Sequence, residues 1–373
     1  MNRRTKSILV VASVSLTIAS MFSCSEDPID KDNGIGDAQT ILLYMTSSFT
    51  KGELRWMNAN STSLANDAIE FSADSKVFAH NGKIFVVDRA TDKLHCIAPE
   101  RLLGDESAAT EQNLKAGANP YDMAFIGDKG YIALYGLDYV QEFNAATCAL
   151  GREMPLTITG ANAASIKASG NTLLVIAQRL NPSWVAEKPG LVIRINASTG
   201  TKIDEIELNL WNPHSGILSD GKLYISSQGI YDDIEWGYPA SDKNGIEVVN
   251  LATKVSSVLK NGESLGGSVS YIALDEANQI LYATVHDYEE YIEPVIPIDL
   301  ATETIGTALA GIKHSDKWGN GSLFFDNKSK RLFVGDFSEN LKIYNPATGQ
   351  MTAVSDSKAA ALPPYMTMAI VAR

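Results

Sequence analysis

The chain is poor in the residues on which most enzyme sites are built. It has three cysteines and five histidines in 373 residues. The histidines are scattered, and no His-x-x-His or His-Glu-x-x-His spacing occurs, which removes the usual signature of a helix-borne zinc site. There is no Gly-x-Ser-x-Gly elbow. The one Ser-x-x-Lys spacing, Ser48-Phe49-Thr50-Lys51, falls inside an expected hairpin and reads as coincidence. Positive charge is also scarce: 31 Lys and Arg stand against 44 Asp and Glu, a formal net charge of −13. So acidic a surface repels phosphate backbones and anionic headgroups, which argues against nucleic acid as a partner. The expectation is a protein with no catalytic residue, no resident metal and no cofactor.

Long apolar runs are lacking too, with one exception at the start. Met1 to Lys6 form a basic head, and Ile8 to Phe22 follow without a charge. At about fifteen residues this run is shorter than the ~20 of a spanning helix, and it has the layout of a secretory leader. It ends at Ser20-Met21-Phe22-Ser23-Cys24, a small residue directly before a cysteine. The segment resembles the lipobox of bacterial lipoproteins, which implies cleavage after Ser23 and lipidation of Cys24. Serine rather than aspartate at position 25 resembles the signal for outer-membrane delivery, and Glu26-Asp27 resembles a surface-export signal. Membrane contact is then expected through the lipid alone. The resulting divisions are a leader over 1–23, a lipidated flexible tether over 24–40 and a folded part over 41–373. Besides Cys24 there are Cys96 and Cys148, enough for one bridge in an oxidising compartment. Their positions do not match in the repeat described next, so both are expected as free thiols.

What the chain does have is a repeat. Asn119-Pro120-Tyr121-Asp122-Met123-Ala124-Phe125 is echoed by Asn212-Pro213-His214-Ser215-Gly216-Ile217-Leu218 and again by Pro363-Pro364-Tyr365-Met366-Thr367-Met368-Ala369-Ile370. A second element, Asn or Asp, any residue, Ala or Ser, then Thr, starts at Asn144, Asn196, Asn250, Asp299 and Asn345. The intervals of about 46 to 54 residues are near those of propeller blades. Each unit reads as four short strands. Asn81-Gly82 and Asp220-Gly221 supply the positive φ of tight hairpins, and segments such as Thr172 to Ile176 and Lys222 to Ser226 carry the β-branched residues of second strands. Six units can be counted, beginning near Ser72, Ala118, Ala161, Trp211, Glu263 and Ile312. A seventh, from Ile41 to Phe71, lacks its first strand. The last residues match a first strand and would complete it. The fold expected is all-β: a seven-bladed β-propeller of four-stranded antiparallel blades, closed by the C-terminal strand joining the N-terminal blade.

At the level of these repeats the chain resembles secreted YVTN-like seven-bladed propellers. It is similar in particular to the surface propeller lipoproteins that partner TonB-dependent nutrient transporters. The resemblance implies a possible transporter partner and a role in capturing a small-molecule, glycan or peptide ligand; it brings no ligand-reading motif.

In such a blade the loops between second and third strands lie on the face opposite the short turns. Three long ones fall there, on the fourth to sixth blades: Arg179 to Gly190, Gly229 to Gly245 and Asp287 to Glu293. They carry Trp184, Tyr231, Trp236, Tyr238, Tyr288 and Tyr291, interleaved with Asp232, Asp233, Glu235, Asp287, Glu289 and Glu290. Trp211, His214, His314 and Trp318 join them from interblade segments. Aromatic faces stack on sugars, macrocycles or peptides, and carboxylates accept hydrogen bonds from hydroxyls or attract cations. The ligand-binding set expected is therefore Trp184, Trp211, His214, Tyr231, Asp232, Asp233, Glu235, Trp236, Tyr238, Asp287, Tyr288, Glu289, Tyr291 and Trp318. The excess of acids disfavours an anionic ligand. Two other readings remain open: a propeller hydrolase or lyase with a divalent metal near His214, His286 and Asp287 at the channel mouth, and a surface adhesion or structural module.

Overall fold

The computed structural model describes residues 40–372 except 48–49, 64, 66, 234–236, 289, 291, 313–321, 336–340 and 355–363. The leader, Cys24 and residues 25–39 of the tether lie outside the described residues, and Thr40 already belongs to a strand. No helix among the described residues is long and apolar enough to cross a membrane.

The described residues form seven four-stranded antiparallel sheets. Blade 1 combines Pro364–Ala372 with Thr40–Ser47, Gly52–Asn58 and Ile69–Phe71. Blades 2 to 7 follow in chain order, with first strands Lys76–His80, Pro120–Ile126, Ala163–Ser169, Pro213–Ser219, Ser268–Asp275 and Leu323–Asp326. Each first strand touches the first strands of both neighbouring blades, and that of blade 7 touches Pro364–Ala372, so seven inner strands ring one axis. The splice expected from the sequence is present: Tyr44 pairs with Met368 and Leu43 with Ala369. Across the seam the Val77 amide donates to Thr367 Oγ1 at 2.8 Å.

The period-two pattern explains the core. In the second strand of blade 4, Leu173, Val175 and Ala177 pack against blade 3, whereas Leu174 and Ile176 pack against blade 5. Such a strand is covered on both faces, which is why it reads as a continuous apolar run. Ile41, Leu43 and Met45 face blade 2 while Leu42 and Tyr44 face blade 7. The described core divides into seven clusters, one per interblade interface. Fully burying each Val, Leu or Ile contributes about 1.5–3 kcal/mol.

The Asn-x-Ala/Ser-Thr element proves to be the turn between third and fourth strands. Asn250 Oδ1 accepts the amides of Ala252 at 3.0 Å and Thr253 at 3.1 Å. Asn144, Asn196 and Asp299 do the same in their blades. The fifth residue of each turn, Cys148, Gly200, Lys254, Glu303 or Gly349, is left-handed. That conformation lets the chain reverse within the turn, at a cost of about 1–2 kcal/mol for a side-chain-bearing residue.

Cys148 brings one correction. It is not a free thiol: it is bonded to Cys96, with Cα atoms 6.0 Å apart, and the bridge ties blade 2 to blade 3. Cys96 lies in a third strand and Cys148 in a turn, so the two never align as repeat positions. Alignment compares equivalent places within blades, whereas the bridge needs adjacency between blades.

Candidate functional site at the channel mouth

The repeat also builds the opposite face. Asn119, Asn162 and Asn212 precede three inner strands in left-handed conformation, which asparagine tolerates better than most residues. Their carbonyls accept the amides of Tyr135, Gln178 and Gln228 at 3.0, 3.2 and 3.0 Å. The asparagine common to the three thus fixes the exit of these second strands at the channel mouth. The residue two places on varies, as Tyr121, Ala164 and His214, and these stand around the axis.

The three long loops lie on this face, each closed on itself by a bridge: Leu180 with Ala186, Asp232 with Gly237, Asp287 with Ile292. Two of them interlock. A Cβ on Gly237 would fall 2.0 Å from the Tyr288 ring, so only glycine lets the blade 6 loop pack on the blade 5 loop. Asn244, fully buried, anchors the blade 5 loop by donating to the carbonyls of Gln228 and Pro239.

Aromatic rings descend from the loops into the channel. Trp184, 59% exposed and at φ 64°, stacks on Tyr135 with centroids 5.7 Å apart and planes within 7°. Tyr135 stacks on Tyr121 at 5.1 Å, Tyr121 meets the His214 ring edge-on, and His214 meets Tyr271 at 5.1 Å. The Tyr135 hydroxyl donates to Gln178 Oε1 at 2.6 Å. A second series runs through Tyr231, Tyr238, Tyr288 and His286. Burial pushes the phenols of Tyr121, Tyr135, Tyr238 and Tyr288 above their ordinary range, so all stay protonated.

Beneath the rings the channel is charged. Asp122 accepts Lys167 Nζ at 2.7 Å, Ser165 Oγ at 2.6 Å and the Ile166 amide at 2.9 Å. Although burial raises its pKa, Lys167 and Lys76 outweigh burial and hold it below the usual carboxylate range. Lys76 Nζ lies 3.5 Å above the Tyr121 ring, and the Arg89 guanidinium 4.4 Å from it. Burial, with repulsion from Arg89, brings Lys76 down to about 7. Burial and the same two cations bring His214 down to about 3, so its imidazole is neutral. The rim carries Asp232, Asp233, Asp287 and Glu290, whereas Lys76 and Lys167 line the channel beneath together with Asp122 and Glu276, so the two levels differ in charge.

Of the residues expected from sequence, Trp184, His214, Tyr231, Tyr238 and Tyr288 belong to this aromatic assembly. Trp211 packs under Lys243, whose Nζ is 4.5 Å from its ring. Asp232 and Asp287 close their loops through backbone hydrogen bonds, and Asp233 is exposed. Glu235, Trp236, Glu289, Tyr291, Trp318 and His314 lie outside the described residues. Tyr121, Tyr135, Lys76 and Arg89 were missed. Tyr121 stands in the repeated Asn-Pro motif, whose recurrence points to a role in the blade and not to a ligand. No group of three or more His, Cys, Asp or Glu among the described residues is placed to hold a metal, and His286 packs on Tyr288 instead of joining His214 and Asp287 in one.

No protein-family model matches the chain, and no curated protein matches it by sequence. Solved structures share its fold. It is similar to hydrazine synthase of Kuenenia stuttgartiensis at 13% identity and TM-score 0.58, over 83% of this chain and 95% of that one. AztD of Citrobacter koseri is similar at 11% identity and TM-score 0.58, over 90% of this chain and 98% of the other. A chain of the nidogen/laminin complex is similar at 11% identity and TM-score 0.50, over 89% and 98%. One of these is a synthase and another belongs to a binding complex, so the shared propeller does not separate catalysis from recognition.

Proposed function

We propose that the protein is a non-catalytic capture propeller, which takes a ligand from the long-loop face of blades 4 to 6 into the channel mouth. The stack of Trp184 on Tyr135 and Tyr121 carries this reading. It sets a large apolar ring in solvent, holds it in a conformation that side-chain-bearing residues rarely adopt, and continues it inward with further rings. A tryptophan that served only packing would be covered, and this one offers an open face. The acidic rim attracts cationic or hydroxyl-bearing parts of a ligand, or a basic surface on a partner.

The lipobox at Cys24 and the acidic pair after it support an outer-membrane lipoprotein displayed at the cell surface. There a TonB-dependent transporter is the partner that such an anchor and such a face would serve. Metabolic labelling with a palmitate analogue checks the anchor: Cys24→Ser should lose both label and membrane fractionation. Native mass spectrometry of the intact protein after incubation with a nutrient extract checks the face. A bound small molecule should appear with wild type and vanish with Trp184→Ala at unchanged Tm. Stoichiometric metal in the purified protein, with turnover lost on His214→Ala, would favour the metal-dependent hydrolase or lyase instead.

A further inference from the structure

The channel below the rings is a cavity of about 350 Å³ lined by all seven inner strands, a volume suited to a small ligand. Two of its polar side chains differ from the rest. Lys76 is only 6% exposed, yet its ammonium makes no hydrogen bond among the described residues and lies against the Tyr121 ring. His214 lines the same cavity and has ring contacts alone. The neighbouring charged groups are hydrogen-bonded: Asp122 accepts Lys167, and Arg89 Nε donates to Asn119 Oδ1 at 2.9 Å. Asp122 and Asp74 attract the Lys76 ammonium through space without accepting a hydrogen bond from it, and a buried ammonium with no hydrogen-bonded acceptor is costly, so Lys76 stands ready for an anion.

Resting on the capture reading above, we propose that this cavity receives the carboxylate of a small organic acid, with the Lys76 ammonium as its charged partner and the His214 N–H as a second donor. One ammonium without a hydrogen-bonded acceptor inside the cavity, with Glu276 among the lining residues, suits a single negative charge better than a phosphate dianion. The ring series above it suits an acid with a flat apolar body. The charged or titratable groups around Lys76 are Asp74, Arg89, Asp122, Lys167 and His214. Burial and the cations among them keep Lys76 near 7, and an arriving carboxylate raises it again. Binding above neutral pH therefore takes up a proton, and affinity falls as pH rises further.

Isothermal titration of the purified full chain with benzoate, phenylacetate and indole-3-acetate, each beside its amide, tests this. The titrations are run in two buffers of different ionisation enthalpy. At least one acid should bind about tenfold or more tighter than its amide, with proton uptake above neutral pH. Lys76→Met should bring acid down to amide without lowering Tm, because it replaces a buried ammonium that makes no hydrogen bond by an apolar side chain of similar length. The proposal is overturned if acid and amide bind alike, if no acid binds, or if Lys76→Met keeps the preference. An amide that binds and is lost with Trp184→Ala would refute the carboxylate while keeping the binding face.

Discussion

The two faces of the ring are made by the same blades and obey different rules. On the short-turn face one device is used again and again: an Asn or Asp caps two amides, and a left-handed fifth residue ends the turn. On the long-loop face the repeat stops at the asparagine that opens an inner strand. Beyond that point each blade differs, and in blades 4 to 6 it differs by bridged loops carrying aromatics. Repetition marks the turns that most blades share; its interruption marks the face proposed above for recognition.

That contrast can be broken at several places. Deleting residues 364–373 should have the largest effect, because it strips blade 1 of its inner strand and opens the interface with blade 7. Cooperative thermal unfolding followed by circular dichroism should be lost, whereas a stable truncated ring would refute closure. Replacing Cys96 and Cys148 by serine removes the bridge between blades 2 and 3. Stability in urea should fall by about 2–4 kcal/mol with ligand affinity unchanged, since the bridge is on the short-turn side. His214 adds a pH dependence. Its folded value of about 3 lies below its ordinary 6.5, so the folded state refuses a proton that the unfolded chain accepts. Its contribution is present above pH 6.5 and lost as pH falls toward 3. Urea titrations across that window should show wild type losing more stability than His214→Gln. Asn250→Ala, which uncaps one turn, should cost about 1 kcal/mol and leave binding intact. Trp184→Ala should be the smallest perturbation of stability, within about 0.5 kcal/mol, and yet remove binding. A large drop in Tm for that variant would mean that the indole is a structural cover.

Much of the architecture was legible because its causes are local. The turn element is recognisable from five residues, and Thr172–Ala177 announces itself as a doubly covered strand by its apolar run. The closing strand was legible because Pro364 to Ile370 repeats the inner strand of blade 3. The site was legible only in its outer part. Trp184, Tyr231, Tyr238 and Tyr288 stand out as aromatics in long loops. Lys76 does not, since a lysine at the start of a strand looks like a solvated surface charge, and only the ring turns it inward onto Tyr121. Tyr135 was hidden because nothing local tells that a residue ending one second strand will stack under a loop of the next blade. The bridge between Cys96 and Cys148 was missed for the same reason.

The chain by itself determined the number of blades, their turns, the seam and the face on which the loops gather, because each follows from hydrogen-bond and burial rules acting within one repeat. Folding into a ring decided which unlike positions meet: two cysteines, a lysine with a tyrosine face, a tryptophan with the ring beneath it. Those meetings depend on the rotation between successive blades, and no single repeat encodes that rotation.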